Sequence, residues 1–172
     1  VLEQRLLGEG VSPDAKSPRE GLPMLVQVAQ LGHRAKLETL LQAGANREAV
    51  DPAENQTALI WATKQGKTDC IAALLRGGAD VDAADPDGDT ALHHAARQGG
   101  ELECARLLVN AKADRSKRNG EGQTALHVAQ EKFHAGAVDW EEPTQMMLCK
   151  ADGSDKHERY FSLDKSGGVP AV

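Results

Sequence analysis

Residues Asp85–Asp114 read D-P-D-G-D-T-A-L-H-H-A-A-R-Q-G-G-E-L-E-C-A-R-L-L-V-N-A-K-A-D, and the rest of the chain follows this pattern. Thr90 is placed to cap a helix with its hydroxyl, because the first amides of a helix have no partners inside it. Leu92, Ala95 and Ala96 then fall on one face of a short first helix that Gly99 ends. A second helix is predicted from about Glu101, with Cys104, Leu107 and Leu108 at the three-and-four spacing of a buried stripe. Two such short helices bury too little surface to stand alone. The stretch therefore needs copies of itself on either side.

Those copies are present. Thr57-Ala58-Leu59 stands one period before Thr90-Ala91-Leu92, and Thr124-Ala125-Leu126-His127 stands one period after. A weaker version, Pro23-Met24-Leu25, precedes Thr57 at nearly the same interval. Gly32, Gly66 and Gly99 follow at a fixed distance from the first three starts, and the leucine pairs Leu40-Leu41, Leu74-Leu75 and Leu107-Leu108 recur. Gly44-Ala45-Asn46, Gly78-Ala79-Asp80 and Lys112-Ala113-Asp114 close the units. A turn plus two helices repeating every ~33 residues and carrying T-A-L-H closely resembles the ankyrin repeat. The resemblance covers roughly residues 1–152.

The resemblance implies an all-α solenoid of stacked helix–turn–helix units with hairpin finger loops. It divides the chain into a partial repeat and loop over 1–21, then repeats over 22–50, 51–84, 85–118 and 119–152. The last is atypical, as capping repeats are, with Phe133 in place of the helix-ending glycine and an insertion within 134–142. Its second helix is predicted through Gln145–Leu148, and residues 153–172 form an irregular tail whose composition predicts mobility. Val1–Leu7 reads as a second repeat helix without its first, the reading expected of a processed or partial chain. Asn55 takes the turn position held by Gly88, since Asn tolerates a left-handed backbone. Loss of glycine at Lys112 predicts a distorted turn after the third repeat, with a loop slightly longer than in the second.

Only 3% of residues are aromatic, so the core has to rely on Ala, Leu and Val, which suits a thin stack in which each repeat touches its neighbours. A net charge of -6 gives no overall attraction to phosphate backbones or anionic lipid. No apolar run approaches the length of a membrane span. Cys70, Cys104 and Cys149 are an odd number without clustered spacing, so burial as small hydrophobes in a reducing compartment is expected. An intracellular, soluble, cytoplasmic location follows, with an organelle as the alternative.

Three constellations invite a chemical reading. Thr90 with His93 and Thr124 with His127 would be nucleophile and base, but no orienting third group or oxyanion turn accompanies them. They are expected to hold the helix start. The run Asp80, Asp82, Asp85, Asp87, Asp89 superficially suggests a calcium loop, yet position six from Asp80 is Asp85 rather than Gly and position twelve is Ala91. These carboxylates are expected to decorate a finger. The basic finger Lys112–Arg118 faces helix positions of mixed sign (Gln30, Lys64, Arg97, Glu131) and lacks stacking aromatics, which argues against nucleic acid. No catalytic residue, cofactor or metal is expected.

Ankyrin-like stacks usually hold another protein on the side formed by fingers and first helices. Carried across, the turn positions are Glu54, Gln56, Pro86, Asp87, Asp89, Glu121 and Gln123, and the helix positions are Lys64, Gln65, Arg97 and Gln98. These residues differ between repeats whose other positions recur. The expected function is a non-catalytic protein-binding adaptor or scaffold. The alternatives are a structural subunit of a large, possibly organellar assembly and the regulatory region of a larger enzyme or channel.

Overall fold

The computed structural model describes residues 12–17, 21–98 and 102–134. Among these are seven helices: α1 Met24–Leu31, α2 Arg34–Gln42, α3 Ala58–Lys64, α4 Thr68–Arg76, α5 Ala91–Gln98, α6 Leu102–Asn110 and α7 Ala125–His134. The half-repeat at Val1–Leu7, the helix through Gln145–Leu148, Cys149 and the 153–172 tail lie outside the described residues.

The helices form two layers. First helices stack in the order α1, α3, α5, α7, second helices in the order α2, α4, α6, and the two helices within each of the first three repeats also pack together. Alanine makes this possible: Ala58, Ala91 and Ala125 start α3, α5 and α7 and are all buried, as are Ala29, Ala62, Ala95 and Ala129. Without bulk on these faces the backbones approach closely. Leucines fill the space between layers, with Leu25, Leu59 and Leu92 from the first helices and Leu37, Leu74 and Leu108 from the second. Each such side chain contributes about 1.5–3 kcal/mol by leaving water. α5 is buried from Ala91 through Ala96, so no side of it is left for solvent before Arg97.

Short turns end the helices. At Gly66 (φ 63°) the chain turns left-handed, and the Gly66 and Lys67 amides return to the Thr63 and Ala62 carbonyls. That closes orphan carbonyls of α3 and sends the chain straight into α4. Cys70 and Cys104 are both buried, at matching positions of α4 and α6.

Two expectations are corrected. Leu107 is not the buried member of its pair. Leu108 is fully buried and repeats the place of Leu74 one unit earlier, whereas Leu107 only packs against the core edge. Nor is the turn at Lys112 distorted. Lys112 adopts φ 69°, and the Lys112 and Ala113 amides bond the Val109 and Leu108 carbonyls, as those of Gly78 and Ala79 bond Leu75 and Leu74. Its loop is no longer than the second repeat's, since the interval from the end of α6 to Asn119 equals that from the end of α4 to Asp85. Two backbone hydrogen bonds impose the left-handed conformation on a residue that disfavours it. Asn55, by contrast, is left-handed (φ 53°) like Gly88, as expected.

Along one exposed edge runs an unbroken hydrogen-bond chain. The Asp14 amide donates to Ser12 Oγ, and the Asp14 carboxylate accepts the Asn46 amide (2.6 Å). Asn46 Oδ1 accepts the Glu48 amide, and Glu48 Oε1 accepts the Asp80 amide (2.9 Å). Asp80 accepts the Asp82 amide, Asp82 accepts the Asp114 amide (2.8 Å), and Asp114 accepts the Ser116 amide. Within a repeat the acceptor closes a local turn; between repeats it reaches the same place in the next unit.

Candidate functional site

Fingers connect each second helix to the next first helix, and a single residue organises each finger. These residues are Asp51, Asp85 and Asn119, evenly spaced along the chain and all buried. Asp51 accepts the amides of Ala53, Glu54 and Gln56, drawing its finger into a closed loop. Asp85 does the same for Asp87 and Asp89, and Asn119 Oδ1 for Glu121 and Gln123. Two of the finger stems meet in single antiparallel bridges, Val50 with Thr57 and Ala84 with Thr90.

Each of the first two hubs is also tied to the helix beneath. The Trp61 indole donates to Asp51 Oδ1 (3.0 Å), and His94 Nε2 meets Asp85 Oδ2 (2.8 Å). Trp61 and His94 occupy matching positions, so two different rings serve as one strut. Neighbouring fingers are cross-linked as well. Gln56 donates to Asp85 (3.0 Å), and Asn119 donates to Asp89 (2.8 Å). Fingers three and four also touch at their tips, where the Gly120 amide donates to the Asp87 carbonyl at 2.7 Å. The matching positions elsewhere are Pro52 and Pro86, which have no amide proton to offer.

The charged groups follow from this geometry. Burial pushes the Asp51 carboxyl up, but the Glu54, Gln56 and Ala53 amides and the Trp61 indole outweigh it and leave the group below its ordinary value. Burial likewise opposes ionisation of Asp89, yet hydrogen bonds from Asn119 and Arg97 hold it low. His93 goes the other way: burial holds its imidazole neutral against the pull of the Gln123 carbonyl. The bonds fix its tautomer. Nδ1 accepts from the Thr90 amide (3.2 Å) and hydroxyl (2.9 Å), so the proton sits on Nε2, facing the Gln123 carbonyl at 3.1 Å. Thr124 and His127 make the same local pair at 2.6 Å. The threonine–histidine pairs therefore hold helix starts, as expected.

Asp85, Asp89 and His94 are the one group among the described residues with metal-type donors converging, within 4.8 Å. Gln56, His94 and the Asp87 and Asp89 amides already engage Asp85, while Asn119 and Arg97 engage Asp89. Arg97 also brings positive charge to the spot. The cluster is a filled hydrogen-bond network. The acidic run thus has three uses: Asp80 and Asp82 in the edge chain, Asp85 and Asp89 inside, and only Asp87 decorating a finger tip.

The residues assigned to a partner surface fall into three depths. Glu54, Pro86, Asp87 and Glu121 at the tips and Gln65 and Gln98 on the helices are exposed. Lys64, Arg97 and Gln123 are partly covered, while Gln56 and Asp89 are buried beneath them. Lys64 donates to Glu54 (2.8 Å) and Gln56 (3.0 Å) and lies 4.5 Å over the Trp61 ring. Gln98 donates to the Lys64 carbonyl, tying α5 to α3. Gln123 donates to Glu131 (2.7 Å). In the sequence Trp61 falls where the third repeat has His94, as an indole that could pack between repeats or form part of a contact surface; its pairing with Lys64 was legible only as an i, i+3 helical interval. Sequence reasoning left out Leu31, which is 60% exposed on α1 in the row that continues as Gln65 and Gln98.

The family model described as ankyrin repeats in three copies matches over residues 3–85, 25–119 and 77–140. The chain belongs to the ankyrin-repeat family. Ankyrin repeats are generally protein–protein interaction modules and typically non-catalytic. A comparison with curated proteins finds no match. Among the described residues no helix of this ankyrin-repeat chain is long and apolar enough to cross a membrane.

Proposed function

We propose that this chain is a non-catalytic adaptor or scaffold that holds another protein across its finger tips and first-helix face. The observation that carries the reading is the contrast between depths. Buried side chains lock the fingers to their helices and to one another, while the tips above them, Glu54, Asp87 and Glu121, are exposed and differ in setting. A surface already fixed loses little freedom on association, so its contacts go to affinity. The Asp87 and Glu121 carboxylates, with the Lys64 and Arg97 cations set deeper, supply orientation and selectivity. Gln56, Asp89 and Gln123 act in this surface by holding their neighbours.

Photo-crosslinking side chains placed singly at Asp87, Gln98 and Glu121, and at Glu103 and Arg106 on the outer face of α6, test the proposal in native extract. Capture of one protein from the first set and not the second is the expected result. Capture from α6 alone overturns it. Native size-exclusion run beside it separates a free or exchanging adaptor from a permanently assembled subunit.

A further inference from the structure

The three finger hubs differ in the residue that follows each of them. Asp51 precedes Pro52 and Asp85 precedes Pro86, whose ring nitrogens carry no proton. Asn119 precedes Gly120, whereas the chain's other asparagines, Asn46, Asn55 and Asn110, precede Arg47, Gln56 and Ala111. A carboxamide followed by glycine is the arrangement in which a backbone nitrogen most readily attacks the preceding side chain, because no Cβ hinders its approach. In the closed finger both reactants are tied. The Gly120 amide donates to the Asp87 carbonyl at 2.7 Å. The Asn119 carboxamide donates to Asp89 Oδ1 at 2.8 Å and accepts the Glu121 and Gln123 amides at 3.1 and 2.9 Å. Asn119 is buried, while Gly120 beside it is exposed to water.

We propose that Asn119-Gly120 is a deamidation site held latent by the contact between fingers three and four, and that its conversion uncouples the two fingers. When the tips part, the Gly120 amide gives its proton to solvent base and its nitrogen bonds to Asn119 Cγ. The bond from Cγ to the side-chain nitrogen breaks, and ammonia leaves with a proton taken from water. Water then opens the five-membered imide. Attack at Cγ gives aspartate at 119, and attack at the backbone carbonyl gives isoaspartate, with the chain running through the former side chain. The sum is one water consumed and one ammonia released.

The cross-links between fingers show why the product does not fit. Gln56 and Asp89 hold matching positions, immediately before Thr57 and Thr90, and Asp85 and Asn119 are the hubs they meet. In the first pair Gln56 donates to the Asp85 carboxylate. In the second the polarity is reversed, and Asn119 donates to the Asp89 carboxylate. Each pair thus has one carboxamide and one carboxylate. Deamidation leaves the second pair with two buried carboxylates and no proton between them, against the single Arg97 cation on Asp89. Burial makes such a like-charge contact costly. The loop itself accepts aspartate, since Asp51 and Asp85 close their fingers through carboxylates. What is lost is the link to the neighbouring finger, and isoaspartate adds a backbone methylene to the hub besides.

The test incubates the full chain in mildly alkaline buffer and locates converted asparagine by mass spectrometry of its peptides. Conversion is expected at Asn119 ahead of Asn46, Asn55 and Asn110. It should run about tenfold or more faster in the urea-unfolded chain than in the folded one. Folded Gly88→Ala, whose added Cβ would stand 2.8 Å from the Gly120 amide, should convert about threefold or more faster than the folded parent. A second arm uses the product directly. Asn119→Asp should lower the melting temperature by about 4 °C or more, and adding Asp89→Asn should return most of the loss by restoring one carboxamide and one carboxylate. Conversion of Asn119 no faster than that of the other asparagines overturns the site. A folded-chain rate equal to the unfolded one, or unchanged by Gly88→Ala, overturns the latency. An Asn119→Asp chain that melts with the parent, or a double variant no better than the single, overturns the uncoupling.

Discussion

Arg97 reaches back along the chain to Asp89 at 2.5 Å, and the same interval joins Lys64 to Gln56 and Gln123 to Glu131. The chemistry changes from repeat to repeat, but the bridge from finger to the end of the first helix does not. Arg97 is therefore both a surface residue and the counterion of a buried carboxylate. Arg97→Ala is expected to cost about 1–2 kcal/mol, less than for a fully buried pair because the guanidinium is partly solvated. Arg97→Lys should recover most of it, while Gln98→Ala stays within about 0.5 kcal/mol. Denaturant melts of the three variants check the ordering, and an unchanged midpoint for Arg97→Ala would count against the bridge.

His93 gives the stability a pH dependence of definite sign. Its imidazole is held below the ordinary value of 6.5, mainly by burial, so the unfolded chain takes up a proton before the folded one does. The contribution is intact above pH 6.5 and is lost as pH falls from there toward the lowered folded value. Protonated Nδ1 would also face the Thr90 amide donor-to-donor. Ile60 fills the matching position in the preceding repeat, so His93→Ile is sterically reasonable. That variant should flatten the slope of the unfolding midpoint below pH 6.5, and should be weaker at about pH 7.5 by about 1–3 kcal/mol because the Gln123 carbonyl loses one of its two donors and the Thr90 amide loses its acceptor. A slope unchanged by the substitution would remove His93 from this role.

The fingers of the third and fourth repeats depend on glycine at their point of contact. A Cβ on Gly120 would stand 2.8 Å from the Asp87 carbonyl oxygen, and one on Gly88 would stand 2.8 Å from the Gly120 amide at φ 78°. Gly120→Ala must push the tips apart at a cost of about 1–3 kcal/mol. Gly88→Ala adds left-handed strain and should cost more. Equal melting temperatures for the two variants and the parent would show that the tips separate freely.

The stacked fold was legible because its signals are local and repeated. Thr57, Thr90 and Thr124 with their following leucines announce each first helix, and alanine at fixed intervals reports close packing. Leu107 was misread because pairs of leucines were aligned with each other, whereas the correspondence that matters runs from Leu74 to Leu108. Of the surface, the exposed tips were legible as polar positions that differ between repeats. The hubs were not. Asp51, Asp85 and Asn119 read as ordinary turn residues, and their use becomes visible only when Gln56, Trp61 and His94 are brought to them from elsewhere. Likewise, Asp80 and Asp82 read as surface charge until the repeats on either side bring Glu48 and the Asp114 amide to them.

Leu108 and Leu107 offer a direct measure of that distinction. Leu108 is completely buried between α6 and its neighbours, so Leu108→Ala leaves a cavity and should cost about 2–5 kcal/mol. Leu107 sits at the core edge, where solvent relieves the loss, and Leu107→Ala should cost about 1–2 kcal/mol. Chemical denaturation of both settles the order, and a larger loss at Leu107 would reverse the register given for α6.

Lys112 is the place where a substitution should strengthen the fold. Its left-handed backbone costs about 1–2 kcal/mol for a residue with a side chain, and Gly44 and Gly78 meet the same turn without that cost. Replacing it with glycine relieves the strain but also frees the unfolded chain, which takes back roughly half of the gain. Lys112→Gly is therefore expected to raise stability by about 0.5–1 kcal/mol, and Lys112→Val to lower it, since a β-branched side chain fits this left-handed backbone least well. The two hydrogen bonds to Val109 and Leu108 hold in either case, so the helical signal should stay constant while the melting temperatures diverge. A glycine variant no more stable than the parent would mean that this turn carries no strain.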